Sequence, residues 1–399
     1  MVKGVRGLNL LVTAESISNF GDGIWIILMP LLGYNLWHSS LAIGIVSLVT
    51  LSPYVLGILF SNYVDRMVPP VVMIICDVGR MLLSFLLAVL LLSGRSTFVL
   101  FIVLVFLLSS FSVFYIPSRT AAVPNFFKKE VVQKTEAIFN VSDFLFLVVG
   151  KLFCGFLLGI SVSYGLLVLI DSFTFLVSGF CNYFFYKMYV KKVIISKNNT
   201  VIKSKNKIFK IFLRQDLKMI LASFVILNLS IGGLMENALP TILIKNNPTN
   251  YKQWFSILNS SFDIGMLVSN LIFLKIFSKS ELNTKLIAIP GVVSLLVIGL
   301  FLSPNILKFF LIFSVGGLAS WLDVATVVYM QTNLPRESLT STFTVIGSVS
   351  KTLEPISSLI YMGLCLGSNI YVKLISFNLI LLILASVSVI AFKNKRGVV

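Results

Sequence analysis

Twelve stretches of mostly apolar residues, nearly all long enough to cross a bilayer as a helix, follow one another with mostly short polar breaks between them. They fall near residues 9–32, 41–61, 71–92, 97–116, 137–159, 164–187, 217–243, 253–277, 285–302, 306–331, 341–365 and 370–392. About 20 apolar residues span the roughly 30 Å hydrocarbon core, so twelve such runs leave little chain for a soluble domain. The connections Leu36 to Ser40, Ser93 to Ser96 and Ile160 to Ser163 are too short to hold one. Composition agrees, with 57% hydrophobic and 12% charged residues, where soluble domains carry roughly 25% charged. So little charge cannot coat a water-facing surface. A soluble enzyme, a disordered regulator and a disulfide-rich secreted domain are excluded. Only helices and closed barrels satisfy their backbone in lipid, and long runs without alternation are helices rather than barrel strands. The expectation is an all-α polytopic membrane protein with twelve transmembrane helices.

The net charge of +17 sits between the apolar runs. Counted by side, 25 Lys and Arg fall on one face of the bilayer and 5 on the other. Positive residues are retained in the cytoplasm, which places both termini there and accounts for the excess without a nucleic-acid partner. The N-terminal MVKGVRG and the long run after it read as a retained first span, not a cleaved signal. The longest polar break, Lys187 to Lys218, carries ten basic residues and divides the spans six and six. The expected domains are residues 1–190, a basic cytoplasmic linker 191–215, and residues 216–399. A faint repeat supports two related halves: YIPSRTAAVPNFFKKE before the fifth span and YMQTNLPRE before the eleventh. Paired six-helix halves with a site near mid-membrane are a secondary-transporter architecture. No G-x-x-x-x-G-K-[ST] loop is present, which excludes a self-contained ATP-driven pump. Cys76, Cys154, Cys181 and Cys365 lie in apolar segments without Cys-x-x-Cys spacing, so neither a metal site nor a cofactor is expected.

A charge at the bilayer centre costs at least about 2.5–3.5 kcal/mol and usually faces a cavity or a partner. Glu15 and Asp22 are seven residues apart in the first span. Two helical turns put them on one face, about 10 Å apart along the axis. Low-dielectric surroundings favour the protonated form of a carboxylate, so the pair is a candidate for proton coupling, with Asp22 primary and Glu15 nearer the cytoplasm. Trp25, three residues beyond Asp22, shares that face. Asp143, Asp171, Asp323 and Glu236 are further intramembrane acids. Lys351 and Glu354, three apart in the eleventh span, can neutralise each other as a structural pair.

The loop from the second to the third span reads Ser61-Asn-Tyr-Val-Asp65-Arg66-Met-Val-Pro-Pro, continuing to Asp77 and Arg80. This resembles the cytoplasmic signature of the major facilitator superfamily, in particular the branch of drug and macrolide efflux and siderophore export. Asn19-Phe20-Gly21-Asp22 with Pro30, Pro117-Ser-Arg119 through Pro124 and Glu130, and Gln331 through Pro335-Arg336-Glu337 resemble three further stretches of that branch. The resemblance implies the two-halved major facilitator fold, efflux by alternating access, and a cytoplasmic gate at Asp65, Arg66, Asp77 and Arg80. Asp77 and Arg80, three apart on one helix face, can also pair locally. In the fifth span Gly150-Lys151 through Gly155 and Gly159 resembles an antiporter stretch, with Lys151 where proline is usual. The family arrangement would make Asp263 of the eighth span a mate for Lys151, as a structural lock.

Together these readings give a monomeric secondary transporter in a bacterial cytoplasmic membrane, coupling protons to efflux of amphipathic small molecules such as macrolides. The alternative is export of a self-made metallophore or peptide-like metabolite. An enzyme is not expected: there is no Ser/His/Asp set or metal-ligand cluster, and the one histidine, His38, falls in an outside turn.

Overall fold

The computed structural model describes residues 2–64, 67–126, 129–193, 215–276, 282–333 and 352–396. Among the described residues the chain forms twelve helices. They are α1 (Val2–Trp37), α2 (Ser40–Val64), α3 (Pro69–Leu92), α4 (Phe98–Phe126), α5 (Lys129–Gly159), α6 (Tyr164–Val193), α7, α8 (Tyr251–Ile276), α9 (Leu282–Leu302), α10 (Asn305–Asn333), α11 (352–364) and α12 (Ile370–Arg396). Helix α7 has three parts: Gln215–Gly233, a π-helical turn Leu234–Ala238, and Leu239–Asn246. Eight helices are long and apolar enough to cross a membrane; Ser40–Pro53 and Ile287–Leu302 are apolar but shorter. The protein is an all-α, multi-pass membrane protein.

Local chemistry sets the helix ends. Pro69 and Pro70 open α3 after an extended Val68, where the missing N–H groups have no intrahelical partner to lose. Gly94 (φ 68°) and Ser161 (φ 64°) close α3 and α5 in the left-handed region. There Arg95 N donates to Leu90 O and Val162 N to Leu157 O, each at 3.0 Å, which satisfies carbonyls otherwise orphaned at a helix end. His38 (φ 49°) ends α1 in the same way and is exposed.

Three helices outrun their expected spans most, by seven residues or more at one end. Helix α1 begins at Val2 instead of residue 9, α5 at Lys129 instead of 137, and α4 continues to Phe126 instead of ending at 116. The last is a correction of substance. Pro117, Arg119 and Pro124, read as part of a connection, lie inside α4. Neighbouring helices and hydroxyl side chains can re-satisfy backbone groups freed by proline in such a setting; Ser118 Oγ, for one, donates to Phe114 O at 2.7 Å.

The chain divides into two compact units, Met1–Thr200 with Asn247–Ser256, and Val201–Asn246 with Ile257–Val399. Most of the expected linker, residues 194–214, lies outside the described residues. In the first unit α1 packs on α5, α6 and α2, while α3 packs on α6 and α4. Gly23 and Gly150 let α1 and α5 touch backbone to backbone: a Cβ on Gly150 would collide with Phe20 O, and one on Gly23 with Leu147 O. A core of Leu11, Met73, Cys76, Tyr115, Phe139 and Phe185 fills the space among five helices. Phe156, Phe173, Phe180 and Phe184 point outward and are exposed, as a hydrocarbon solvent permits.

The second unit packs α9 on α12, α10 and α7. Its helices are tied by a polar seam. Tyr361 Oη donates to Ser230 O at 2.7 Å and accepts from Asn378 Nδ2 at 3.1 Å. Beside the π turn, Gly233 N donates to Ser357 Oγ at 2.8 Å, and Asn237 Nδ2 donates to Ser358 O and Oγ at 3.1 and 2.8 Å.

Candidate functional site

Five helices of the first unit bring five carboxylates and two guanidiniums together, in two linked groups and one outlier. Arg119 of α4, with 7% of its side chain exposed, sits between Glu15 of α1 (2.5 Å) and Asp143 of α5 (3.1 Å). Asn19 Nδ2 donates to the other Asp143 oxygen at 2.8 Å, and the guanidinium lies 4.7 Å from the Phe139 ring centre. Both bonds leave from Nη1, while Nε finds no hydrogen-bond partner among the described residues; it is the two carboxylates beside it that make a buried guanidinium tolerable.

Arg80 of α3 forms the second group. It donates to Asp77 Oδ1 at 2.7 Å and lies 3.7 Å from Asp22 Oδ1 of α1. The Tyr115 and Phe175 rings stand 4.8 and 4.3 Å from its guanidinium carbon, adding cation–π attraction at a buried site. Asp77 Oδ2 accepts from Ser178 Oγ at 2.9 Å and Asn182 Nδ2 at 2.7 Å. Asn182 also donates to Tyr115 Oη at 3.1 Å. Asp171 of α6 is fully buried and belongs to neither group.

The structure places the expected residues differently from one another. Glu15 and Asp22 share α1, and each meets a different arginine. Glu15 is buried against Arg119, and Asp22, with 35% of its side chain exposed, faces Arg80. Trp25 is half-buried on the same helix. Asp77 and Arg80 pair locally, more than two turns into α3 and buried, and they also bind α6 and α1. Asp65 and Arg66 lie outside the described residues, as does Lys351. Glu354 is half-buried on α11. Lys151 is buried on α5, where its carbonyl accepts from Ser256 Oγ at 2.6 Å. Asp263 is buried on α8 of the second unit. Glu236 sits in the π turn, and Asp323 is exposed on α10. The residue that sequence reasoning missed is Arg119. It falls between the fourth and fifth expected spans, and the signal for it is the presence of two intramembrane acids, Glu15 and Asp143, that call for a partner.

Beside Glu15, a groove of about 660 Å³ runs between α1 and α5, lined by Val12, Ile17, Ile138, Val141, Leu145 and Phe146. Its polar groups are few; Ser16 and Ser142 satisfy each other with hydroxyls 2.5 Å apart.

The sequence pattern that defines the Major Facilitator Superfamily matches residues 11–353. The chain belongs to this superfamily. Its members are secondary transporters and not enzymes, and alternating access within a helical bundle is the general function that follows. Solved structures agree at the level of fold. A peptide transporter of the POT family in complex with sulfate superposes with a TM-score of 0.74 at 11% identity, over 98% of this chain and 94% of that one. A bacterial homologue of the human lysosomal transporter Spinster, inward-facing and unoccupied, gives 0.69 at 12%, over 97% and 96%. A bacterial homologue of the iron transporter ferroportin, inward-facing, gives 0.69 at 15%, over 97% and 98%. Among curated protein sequences, none matches this chain. The superfamily is therefore established by sequence pattern and fold together, while these distant likenesses assign no substrate.

Proposed function

We propose that this major facilitator is a proton-coupled exporter of amphipathic small molecules, macrolide-type drugs among them, in a bacterial cytoplasmic membrane. The observation that carries the reading is the imbalance of the network among the described residues: five carboxylates, of which Glu15, Asp77 and Asp171 are buried, against two guanidiniums. Unless protons or cations offset it, such an excess of negative charge is costly in low dielectric. A site of this kind binds protons in one state and gives them up in another. The apolar α1–α5 groove beside Glu15 suits the hydrophobic part of an amphipathic substrate.

In the mechanism, a monomer with both termini inside rocks as two six-helix halves, residues 1–190 and 216–399, about the basic linker 191–215. Asp22 is the coupling carboxylate, helped by Glu15, with Trp25 on its substrate side. When Asp22 takes up a proton, its attraction to Arg80 weakens and substrate affinity changes with it. Asp65 and Arg66 seal the cytoplasmic side, with Asp77 and Arg80 behind them. Lys151, Asp263, Lys351 and Glu354 hold structure within the spans.

Uptake into inside-out vesicles with an acid interior tests this directly. A macrolide, a lipophilic cation and a metallophore-like polycarboxylate are offered to wild type and Asp22→Asn. Gradient-dependent accumulation of the macrolide or the cation, lost in the variant, is the expected result. Accumulation of the polycarboxylate alone would assign export of a self-made metallophore instead. No gradient-dependent accumulation of any of the three would overturn the exporter reading.

A further inference from the structure

Asp171 is the one carboxylate of the network that touches no cation. It lies within α6, fully buried, and neither of its carboxylate oxygens has a hydrogen-bond partner among the described residues. The Thr174 hydroxyl, one turn on, donates to the Asp171 backbone carbonyl instead, at 2.7 Å. The carboxylate is turned onto α1 at Gly21, where a Cβ would stand 2.6 Å from Oδ1. Glycine at that position is what lets the acid approach the α1 backbone. The next residue along α1 is Asp22.

The cost of this arrangement depends on charge. Burying an ionised carboxylate without partners costs tens of kcal/mol in the idealised limit, whereas a neutral polar group in the same place costs roughly 2–7 kcal/mol. The charged and titratable groups that act on Asp171 are Asp22 from α1, Arg80 from α3 and Cys154 from α5. Arg80 is engaged by Asp77 and Asp22. Asp22 is a like charge, and Cys154 is a buried thiol. Arg80 attracts an anion at Asp171, but only from beyond contact and while bound to two other acids; Asp22 opposes such an anion and Cys154 offers it no charge. The arrangement as it stands is that of a carboxylic acid.

Asp22 also supplies the route. With 35% of its side chain exposed, it is the acid beside Asp171 that a proton can reach from outside the core. We propose that Asp171 is the proton store of this transporter, filled and emptied through Asp22, the neighbour in sequence of the Gly21 against which the Asp171 carboxylate packs. In filling, the O–H bond of a protonated Asp22 breaks and one forms on Asp171. Asp22 becomes a carboxylate again beside Arg80, Asp171 becomes neutral, and nothing else is consumed. Emptying is the reverse. This inference rests on the proton-coupled reading above and assigns the occupied proton site to Asp171, with Asp22 as its port.

Infrared spectroscopy of the full-length protein in lipid vesicles, with aspartate labelled by carbon-13 at the side-chain carboxyl, reads the proton itself. At neutral pH wild type should show a protonated-aspartate band. Asp171→Asn should lose that band. Asp22→Asn should keep it, with hydrogen–deuterium exchange slowed because the port is gone. Asp171→Glu guards against a variant that fails to fold: the labelled band should vanish and an unlabelled protonated-carboxyl band replace it. Absence of the band in wild type would overturn the store whatever the variants do, as would its survival in Asp171→Asn. Unchanged exchange in Asp22→Asn would overturn the port. The band needs no substrate, so it separates from the vesicle uptake experiment. A band without gradient-driven uptake sinks coupled export alone; uptake without the band sinks the store alone.

Discussion

Arg119 of α4 donates to Glu15 of α1 across 104 positions of sequence, at 2.5 Å and with both side chains buried. The same guanidinium reaches Asp143 of α5, so one side chain ties three helices together. Removing one partner of a buried pair costs about 3–5 kcal/mol, because the other charge stays buried and alone. Arg119→Ala should therefore lower the thermal stability of the detergent-purified protein sharply. Arg119→Met combined with Glu15→Gln and Asp143→Asn should recover most of the loss. If the triple variant is no more stable than the single one, Arg119 holds the unit by packing, not by charge.

Asp77 accepts three hydrogen bonds, from Arg80, Ser178 and Asn182. Hydrogen bonds to charged groups contribute about 1.5–3 kcal/mol each. Asn182→Ala should destabilise by about that amount and should not be additive with Asp77→Asn, since both remove the same bond. A double-mutant cycle by chemical or thermal unfolding reads the coupling; additivity of the two would contradict the shared bond.

The α1–α5 crossing depends on Gly150 lying against Phe20 O and Gly23. An added methyl has nowhere to go, because the atom opposite it is backbone. Overpacking of this kind costs about 1–3 kcal/mol or more. Gly150→Ala should lower the melting temperature, and Gly150→Val should abolish expression of folded protein. A Gly150→Val variant that purifies in good yield would show that the two helices separate easily.

In the second unit Tyr361 donates to Ser230 O and accepts from Asn378. Tyr361→Phe leaves a buried amide short of one acceptor, at about 1–3 kcal/mol. Thermal unfolding of the variant should show that loss, with Asn378→Leu in the Phe background restoring part of it.

How far the sequence could be read follows from the physics of each residue. The helices were legible because hydropathy is a local property and lipid enforces it. Asp77 and Arg80 were legible as a pair because a helix brings residues three apart to one face. Arg119 was not. Flanked by Pro117 and close to Lys128 and Lys129, it resembles a loop charge, and only its partners on α1 and α5 reveal it as interior. Asp171 was legible as an intramembrane acid, but its isolation was not, since having no partner is a property of every helix around it. Glu15 and Asp22 share a helix face by periodicity, yet what separates them is which arginine each meets, and those come from α4 and α3.

The π turn Leu234–Ala238 winds α7 one residue per turn wider than the helix on either side of it. Because the wider turn takes in its extra residue without adding rotation, Leu239–Asn246 faces as it would in a plain helix one residue shorter. Deleting a single residue there restores an uninterrupted α-helix and leaves Pro240, Thr241 and Ile242 near their buried positions. The same deletion within Gln215–Gly233, where no bulge absorbs it, turns the C-terminal part of α7 by about 100°. The five residues of the turn are thus the place where α7 can change length by one without losing its packing.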